Sequence, residues 1–407
     1  MELTHAFADA LPQMVAEVPP TQFANAALVV LNEPLARELG LDVQWLRSPE
    51  GVQWLAGGSG GHATAYAGHQ FGQFVPLLGD GRALLLGTLT HTDSAGTQSA
   101  REIQCKGSGR TPFSRPGSDG MGAIGPMLRE YLVSEFMHAV GVPTTRSLAV
   151  VDTGEMVIRQ QGQVPAGIVV RVASSHLRVG SVQYAATQSS ELLEAVVRAA
   201  GFTDAAALLE SVLRRQLDLV ARWMRFGFVH GVMNTDNTSL SGETIDYGPC
   251  AFTERFAGDA VFSSIDTSGR YRFGNQPTII AWNLARLAEA LLPVLDMARA
   301  QAIMNTTQDV WDERWQHWVG PDQDALGQAE DIVSYNREHR VAGAPGPLFA
   351  PRNHMLERAI VAAEQHGDFD PYFELLAAVT DPFNPGAGPE WMKAPEGALT
   401  YTTYCGT

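Results

Sequence analysis

Hydrophobic and polar positions divide the chain into a strand-rich part followed by a helical part. Between about residues 60 and 175, FVPLLGDGRALLLGTL predicts two short strands around a turn at Gly79-Asp80-Gly81, and REIQCKGSG predicts a strand that ends in a loop. SLAVVDTG and GIVVRVA predict two more strands. After about residue 185, apolar positions recur every three or four residues in ELLEAVVRAAGF and AAALLESVLRRQLDLVARWMRFGF, which is the spacing of amphipathic helices.

One helix is predicted inside the strand-rich part. LREYLVSEFMHAVG has apolar residues at helical spacing, Pro126 suits the first turn, and Gly141 with Pro143 ends the helix. Further along, QPTIIAWNLARLAEALLPVL predicts another helix, residues 300–375 read as mostly helical, and a tail rich in Pro and Gly begins at DPFNPGAG.

Composition narrows the class of protein. The 407 residues, 45% of them hydrophobic, suffice for one large two-lobed fold. A net charge of −16 argues against binding to a nucleic-acid backbone, and no apolar run is long enough for a membrane span. The N-terminal segment carries acids where a signal peptide needs Lys or Arg, and three cysteines cannot form a disulfide framework, so we expect a cytoplasmic protein.

Basic residues are spread unevenly along this acidic chain. Only two of the 28 basic residues are lysines, and Lys106 within CKGSG suggests a need for a compact ammonium group. Several basic residues crowd into one short region, and either a solvated basic face or a site for a multiply charged small anion explains them. These residues are Arg101, Lys106, Arg110, Arg115 and Arg129.

The segment HGVMNTDNTSLSGETIDYGP, residues 230–249, resembles the chemistry core of a phosphotransferase. Kinase-type sites place a catalytic Asp shortly after a His, then an Asn and an Asp that hold magnesium. Asn237 and Asp246 supply such hard oxygen ligands, but the position of the catalytic base is Val232. The nearest other carboxylate is Asp236. A nucleotide bound in reversed orientation, with its α-phosphorus toward the acceptor hydroxyl, would reconcile these residues.

The strand-rich part supplies candidates for the nucleotide phosphates in the order that a kinase-type site needs. They are Gly79, Gly81 and Arg82 at the glycine turn, Lys106 at a strand end, Glu130 to fix Lys106, and Arg171 with Arg178 to clamp phosphate. Structural roles remain open for each: a hairpin for the turn, a surface carboxylate for Glu130 and an ion pair for the arginines. We therefore predict an α+β, two-lobed protein-kinase-like fold, with a sheet-rich N-lobe over residues 1–185 and a helical C-lobe over residues 186–407.

Seven motifs together resemble the selenoprotein O family of kinase-like protein adenylyltransferases, over about residues 25–290. They are AYAGHQFGQFVPLLGDGRA, KGSGRTPFSR, REYLVSEFMHAVGVPTTRSL, RVASSHLRVG, HGVMNTDN, TIDYGP and GRYRFGNQP. The resemblance implies a pseudokinase fold that binds ATP in flipped orientation. It also implies transfer of AMP to Ser, Thr or Tyr hydroxyls of protein substrates, with release of pyrophosphate.

The same resemblance implies a role for individual residues. The proton acceptor would be Asp236, the ligands of Mg²⁺ or Mn²⁺ would be Asn237 and Asp246, and Glu130 would pair with Lys106. The nucleotide contacts would be Gly79, Gly81, Arg82, Lys106, Asp119, Gly120, Arg171, Arg178 and Asp246.

The chain departs from the family pattern at several places. Met121 and Gly125 stand where the family has arginines. Cys405 matches the family's C-terminal Cys, but RFAGDAVFSSID lacks the Cys with which some members pair it, so Cys405 is expected either to be a free thiol or to form a mixed disulfide with a partner protein. The region 300–375 is compressed. A kinase-like phosphotransferase, a catalytically silent nucleotide-binding regulator and a uridylyltransferase that uses UTP remain alternative functions.

Overall fold

The computed structural model describes residues 3–92, 96, 98–159, 162–386, 389–392 and 401–404. The strands are β1 Val15–Val18, β2 Ala27–Leu31, β3 Gly61–Thr64, β4 Gly68–Gln70, β5 Gln73–Val75, β6 Ala83–Thr92, β7 Gln98–Lys106, β8 Gly122–Ala123, β9 Arg146–Arg159, β10 Gly162–Ala173, β11 Phe228–Val229, β12 Ala251–Phe252, β13 Arg340–Val341 and β14 Ala344–Pro345. The helices are α1 Ala6–Ala10, α2 Glu33–Glu38, α3 Val43–Leu46, α4 Pro49–Leu55, α5 Ile124–Ala139, α6 Val179–Gln188, α7 Ser190–Ala199, α8 Ala205–Phe226, α9 Gln276–Leu291, α10 Met297–Met304, α11 Thr307–Trp318, α12 Gln323–Gln328, α13 Ile332–Glu338, α14 Asn353–His366 and α15 Asp370–Thr380.

An antiparallel sheet organises the first part of the chain. Its strand order is β1-β3-β6-β7-β10-β9-β2, and β8 pairs with β10. Lys106 lies opposite Val169 in the β7–β10 ladder, and Arg171 lies opposite Gln104. Because side chains alternate along a strand, Lys106, Gln104 and Arg171 share one face of the sheet. The other face buries Ile103, Cys105 and Val170 against the helices α2 to α4.

Helix α5 joins the sheet to the helical part of the chain. It packs against β9 and β10 on one side and against α14 and α15 on the other. The Tyr372 hydroxyl of α15 donates to the carbonyl of Leu128 at 2.9 Å. Burial on both sides explains why nearly every side chain of α5 is buried, including Glu130. The sequence prediction of this helix, with Pro126 in its first turn and Gly141 beyond its end, is confirmed.

The second part is built mainly of helices, as predicted. The long helix α8 begins at the cap Asp204, whose carboxylate accepts from the amide of Ala207, and ends at Gly227, which has φ +69°. Helix α9 packs against α8 and α6. The segment between β11 and β12 carries Asp236, Asn237 and Asp246. The predicted α+β organisation, sheet first and helices after, is confirmed.

Two sequence predictions concern the organisation of the chain: the turn at residues 79–81 and the boundary between the lobes. Strands β5 and β6 do flank the turn at residues 79–81, but β5 pairs with β4 while β6 pairs with β3 and β7, so a hairpin interpretation of this turn is wrong. The boundary between lobes at residue 185 stays a prediction. It falls within α6, which packs against α7 and α9 of the helical part. Within the described residues, no helix is both long and apolar enough to cross a membrane.

Replacing Leu132 by Ala tests whether α5 holds the two parts together. Leu132 is 0% exposed in the core, so Leu132→Ala should lower the free energy of unfolding by about 3 kcal/mol, as expected for a truncated core leucine. Ile158, which is 80% exposed on β9, is the control, and Ile158→Ala should change little. Urea unfolding of the two variants checks this, and equal effects would contradict the assigned role of α5.

Candidate active site

Four charged side chains form a buried network between the sheet and α5. Lys106 Nζ lies 2.6 Å from Glu130 Oε2 and 2.5 Å from Asp246 Oδ1. Arg171 donates through Nε to the other carboxylate oxygen of Glu130, and its Nη2 lies 3.7 Å from Asp246 Oδ1. Two cations and two carboxylates therefore meet in one place. The predicted pairing of Glu130 with Lys106 is present.

These contacts keep both carboxylates ionised. Burial alone would raise the pKa of Glu130, but Arg171 and Lys106 bring it below its ordinary value. Burial likewise opposes ionisation of Asp246, and Lys106 and Arg171 hold the pKa of Asp246 far below its usual range. The side chain of Asp246 is 32% exposed, so a ligand can reach it. The charge of Arg82 lowers the pKa of Asp246 further, which locates Arg82 electrostatically near this network.

Arg178 forms a second cluster beside the first. Its Nη2 lies 3.3 Å from Asp80 Oδ1, and its Nη1 donates to the backbone carbonyl of Asp236 at 3.2 Å. Its guanidinium stacks on the ring of Tyr66 at 4.4 Å. Asp80, which sequence reasoning passed over, also accepts from Gln104 on β7 at 3.2 Å. The middle residue of the glycine turn therefore orients one of the predicted phosphate-binding arginines.

The glycines of the turn are required by close packing. Gly79 has φ +142°, and a Cβ there would lie 2.5 Å from Cγ of Phe113. A Cβ at Gly81 would lie 3.0 Å from the carbonyl oxygen of Phe113. The predicted approach of their backbone to phosphate stays a prediction.

Asp119 and Gly120 lie outside the charged network. The Asp119 carboxylate pairs with Arg159 at 2.8 Å and accepts from the amide of Met121 at 2.9 Å. Gly120 has φ +73°, and a Cβ there would overlap the backbone nitrogen of Arg110. Both residues shape the loop before α5, and their contact with a nucleotide stays a prediction.

Asp236 is compensated less completely than Glu130 and Asp246. Its side chain is buried, with the residue only 7% exposed, and Gln70 Nε2 donates to its Oδ2 at 3.3 Å. Its Oδ1 has no hydrogen-bond partner among the described residues. Burial raises the pKa of Asp236 to about 6, and its own backbone amide, Gln70 and Arg178 offset only part of this effect. A carboxylate with this pKa is ionised at neutral pH and accepts a proton readily.

Asn237 and Asp246 fit a divalent cation that is bound together with phosphate. The amide nitrogen of Asn237 donates to the carbonyl of Val232 at 3.1 Å, which leaves its amide oxygen free of hydrogen bonds among the described residues. No group of three or more His, Cys, Asp or Glu side chains in the described ranges could hold a metal alone. Magnesium needs few protein ligands because phosphate oxygens and water complete its shell, so these two residues suit it.

A hairpin that sequence reasoning gave no role lies against the loop of Asp236. Strands β4 and β5 form this hairpin, and a Cβ at Gly68 would overlap the Asp236 carboxylate. Its hydrogen bonds to the loop run from His69 N to Thr235 Oγ1 (2.7 Å), from Gln70 Nε2 to Asp236 Oδ2 (3.3 Å) and from Phe71 N to Asn234 Oδ1 (3.1 Å). The motif AYAGHQFGQ indicated that this segment matters to the family. Two of the three hydrogen bonds are donated by backbone amides, so the identity of the side chains could not predict them.

The crowded basic residues do not form one anion site. Lys106 lies in the network, whereas Arg129 binds Glu357 at 2.8 Å and the Tyr401 hydroxyl at 2.7 Å. Arg115 lies within 3.4 Å of Gln70 Oε1. Of the two interpretations, a single site for a small anion is therefore wrong for the group as a whole.

The structure accounts for the departures from the family pattern in part. A Cβ at Gly125 would overlap a carboxylate oxygen of Glu364 on α14, so this helix fills the space beside the glycine. Met121 packs at the edge of the sheet core. Cys250, two residues after the Asp246-Tyr247-Gly248 motif, is buried, which raises the pKa of its thiol to about 12. Cys405 lies outside the described residues.

A family model and curated relatives of this chain name the same kind of protein. Residues 1–321 match the family described as "Protein adenylyltransferase SelO". The "Protein nucleotidyltransferase YdiU" of Corynebacterium glutamicum is 44% identical over 471 residues, covering 98% of both chains. That of Mycolicibacterium paratuberculosis is 44% identical over 480 residues, covering 98% of this chain and 96% of the relative. A solved structure of a Toxoplasma gondii rhoptry antigen kinase domain is 14% identical, and the match covers 74% of this chain and 87% of that chain with a TM-score of 0.28.

Replacing Asp236 by Asn should stabilise the protein at neutral pH. The folded state raises the pKa of Asp236 above that of the unfolded chain, so the wild type loses stability as pH rises from about 4 to about 6. The Asn side chain stays neutral at every pH. Above pH 7 the free energy of unfolding of Asp236→Asn should therefore exceed that of the wild type by on the order of 2 kcal/mol. The difference should shrink toward pH 4. Urea unfolding at several pH values checks this, with the exposed Asp324→Asn as control; a pH-independent difference would contradict it.

Proposed function

The chain belongs to the SelO family of protein adenylyltransferases, and from this premise we propose how its residues transfer AMP from ATP to a protein. Asp236 is the proton acceptor for a Ser, Thr or Tyr hydroxyl of the substrate. The oxygen of that hydroxyl attacks the α-phosphorus, its proton passes to Asp236, and the bond between the α-phosphorus and its bridging oxygen breaks. Pyrophosphate leaves with that bridging oxygen, so atoms and charges balance. A cytoplasmic location is part of the proposal.

The environment of Asp236 is the observation that carries this proposal. Val232, at the position of a kinase's catalytic base, is a buried apolar residue and cannot accept a proton. Asp236 is buried, has an oxygen without a hydrogen-bond partner among the described residues, and has a pKa of about 6. Proton acceptors work best when their pKa lies near the pH at which they operate.

The buried cations are suited to the phosphates of the nucleotide. Lys106 and Arg171 are paired with carboxylates, and Arg178 is held by Asp80. A polyphosphate can replace part of the carboxylate contacts of Lys106 and Arg171 while both cations remain compensated. In the proposed complex these cations hold the phosphates and the α-phosphorus faces Asp236. This is the reversed orientation of the nucleotide relative to that in a kinase. Gly79, Gly81, Arg82, Asp119 and Gly120 complete the proposed nucleotide contacts.

Asn237 and Asp246 are the proposed ligands of Mg²⁺ or Mn²⁺. When bound, such an ion neutralises the charge of the phosphates and of the departing pyrophosphate. Asp246 is kept ionised for this role by Lys106 and Arg171. Its backbone has φ +67°, an uncommon conformation for a residue other than glycine.

Labelled nucleotides test the proposed transfer. Protein substrates incubated with the enzyme and ATP should retain label from the α-phosphate and none from the γ-phosphate, with the mass of one AMP added per site. Asp236→Asn should lower the rate at least 100-fold while ATP binding persists, because only the proton acceptor is lost. Asp324→Asn is the control and should keep full activity. Retention of γ-label alone would reject AMP transfer in favour of phosphorylation, and equal use of UTP would show that the donor is not specific.

The pH dependence of the rate should follow the ionisation of Asp236. A proton acceptor works only when deprotonated, so kcat/KM should rise with pH, reach half its maximum near pH 6, and level off above. Measurement between pH 5 and pH 8 with labelled ATP checks this profile. A rate that does not change across this range would exclude Asp236 as the proton acceptor.

A further inference from the structure

The hairpin β4–β5 exposes apolar side chains beside the proposed proton acceptor. Phe71 at its tip is 36% exposed, Phe74 on β5 is 44% exposed, and Leu77 just beyond is 54% exposed. Phe71 has φ +52°, in the left-handed region that bulky residues rarely adopt. Its amide donates to Asn234 Oδ1 and to the Tyr271 hydroxyl, both at 3.1 Å, which holds this conformation. An aromatic ring is thus kept at a tip where glycine or asparagine is the usual residue.

Two arginines without carboxylate partners flank this hairpin. Arg115 reaches Gln70 Oε1 at 3.4 Å on one side. Arg270 lies on the other side, where its guanidinium is 4.9 Å from the Trp282 ring and close to Gly72. In the described part of the chain neither guanidinium has a carboxylate within ion-pairing distance, although the protein carries a net charge of −16. Two guanidinium groups without a carboxylate partner in the described part of the chain therefore flank the hairpin of an otherwise acidic protein.

These arginines are separate from the buried cations assigned to the nucleotide. Lys106, Arg171 and Arg178 are buried, whereas Arg115 is exposed and Arg270 is half-buried. A substrate hydroxyl that reaches Asp236 must come from outside the protein, and the hairpin lies against the loop of Asp236. The outer surface of the hairpin is thus placed to contact residues that neighbour the hydroxyl in the substrate.

We propose that this surface recognises a segment of the protein substrate that carries acidic side chains and an apolar side chain beside the acceptor hydroxyl. The hairpin face, as we name it, consists of Phe71, Phe74, Leu77, Arg115 and Arg270. Arg115 and Arg270 pair with the acidic side chains of the segment, and the exposed rings cover its apolar side chain. This inference rests on the proposed function, because it concerns the acceptor of the same reaction.

Matched peptides test the charge preference. Two peptides of equal length share a central Tyr and a neighbouring Leu, and differ only in whether Glu or Lys flanks them. With the full-length protein and α-labelled ATP, the Glu peptide should show kcat/KM at least tenfold higher, mainly through a lower KM. A Ser-centred pair should show the same preference, because the hairpin face contacts the flanking residues rather than the acceptor.

Variants of the hairpin face connect the preference to its residues. Arg115→Glu combined with Arg270→Gln should abolish or reverse the preference, while the KM for ATP changes less than twofold. Arg198→Glu combined with Arg299→Gln, at exposed positions on α7 and α10, makes the same change in net charge and should keep the preference. Phe74→Ser should lower kcat/KM for the Glu peptide with Leu at least fivefold, and should leave a Glu peptide with Gly in place of Leu unchanged.

The outcomes separate this inference from the proposed function. AMP transfer without preference between the peptides would overturn the hairpin face and leave the adenylyltransferase mechanism standing. Loss of ATP affinity in the double arginine variant would assign these arginines to the nucleotide instead. Absence of AMP transfer to the peptides and to every protein of a cell extract would overturn both.

Discussion

The buried network of Lys106, Glu130, Arg171 and Asp246 is the interaction on which the site depends. An unpaired charge in a protein interior is costly, so the buried Lys106, Arg171 and Glu130 need one another and the partly exposed Asp246 to balance their charges. The four residues lie on β7, β10, α5 and the loop before β12. The network therefore forms only when these elements are packed together correctly. Its balance also constrains the reaction. A polyphosphate that enters would add negative charge, which a divalent cation at the proposed ligands Asp246 and Asn237 would neutralise.

Two aspartates of one loop show how environment assigns roles to identical side chains. Asp246 faces Lys106 and Arg171, which hold its pKa far below the ordinary value, so it remains an ionised ligand at any pH where the protein works. Asp236 is buried against the hairpin with one weak donor, and its pKa rises to about 6. One carboxylate is therefore suited to binding a cation and the other to accepting a proton. Pairs of titratable groups whose environments separate their pKa values commonly divide catalytic roles in this way.

Sequence patterns predicted the parts of the fold and site that depend on local order along the chain. A strand that ends in Lys106 followed by a predicted helix with Glu130 matched the order of a kinase-type site, the family resemblance implied their pairing, and the missing base at Val232 directed attention to Asp236. Patterns could not predict contacts that are made by backbone groups or between distant strands. The pairing of β5 with β4 rather than β6 is of this kind, as are the amide bonds from His69 and Phe71 to the loop. Nothing in the sequence indicated a role for Asp80, because its partner Arg178 lies 98 residues away along the chain.

The close contact of the hairpin with Asp236 connects the proposed proton transfer with the proposed recognition of the substrate. A Cβ at Gly68 would overlap the carboxylate, and a Cβ at Gly180 would overlap the carbonyl of Ala67 and lie 3.3 Å from Cα of Asp236. The two glycines let the hairpin and α6 approach Asp236 closely enough to exclude water from its Oδ1. That exclusion raises the pKa of Asp236, because an ionised carboxylate loses hydration that hydrogen bonds do not replace. The same hairpin presents Phe71 and Phe74 outward. The side of the hairpin that faces Asp236 raises the pKa of this proposed proton acceptor. The opposite side is positioned to contact the protein substrate in the proposed reaction.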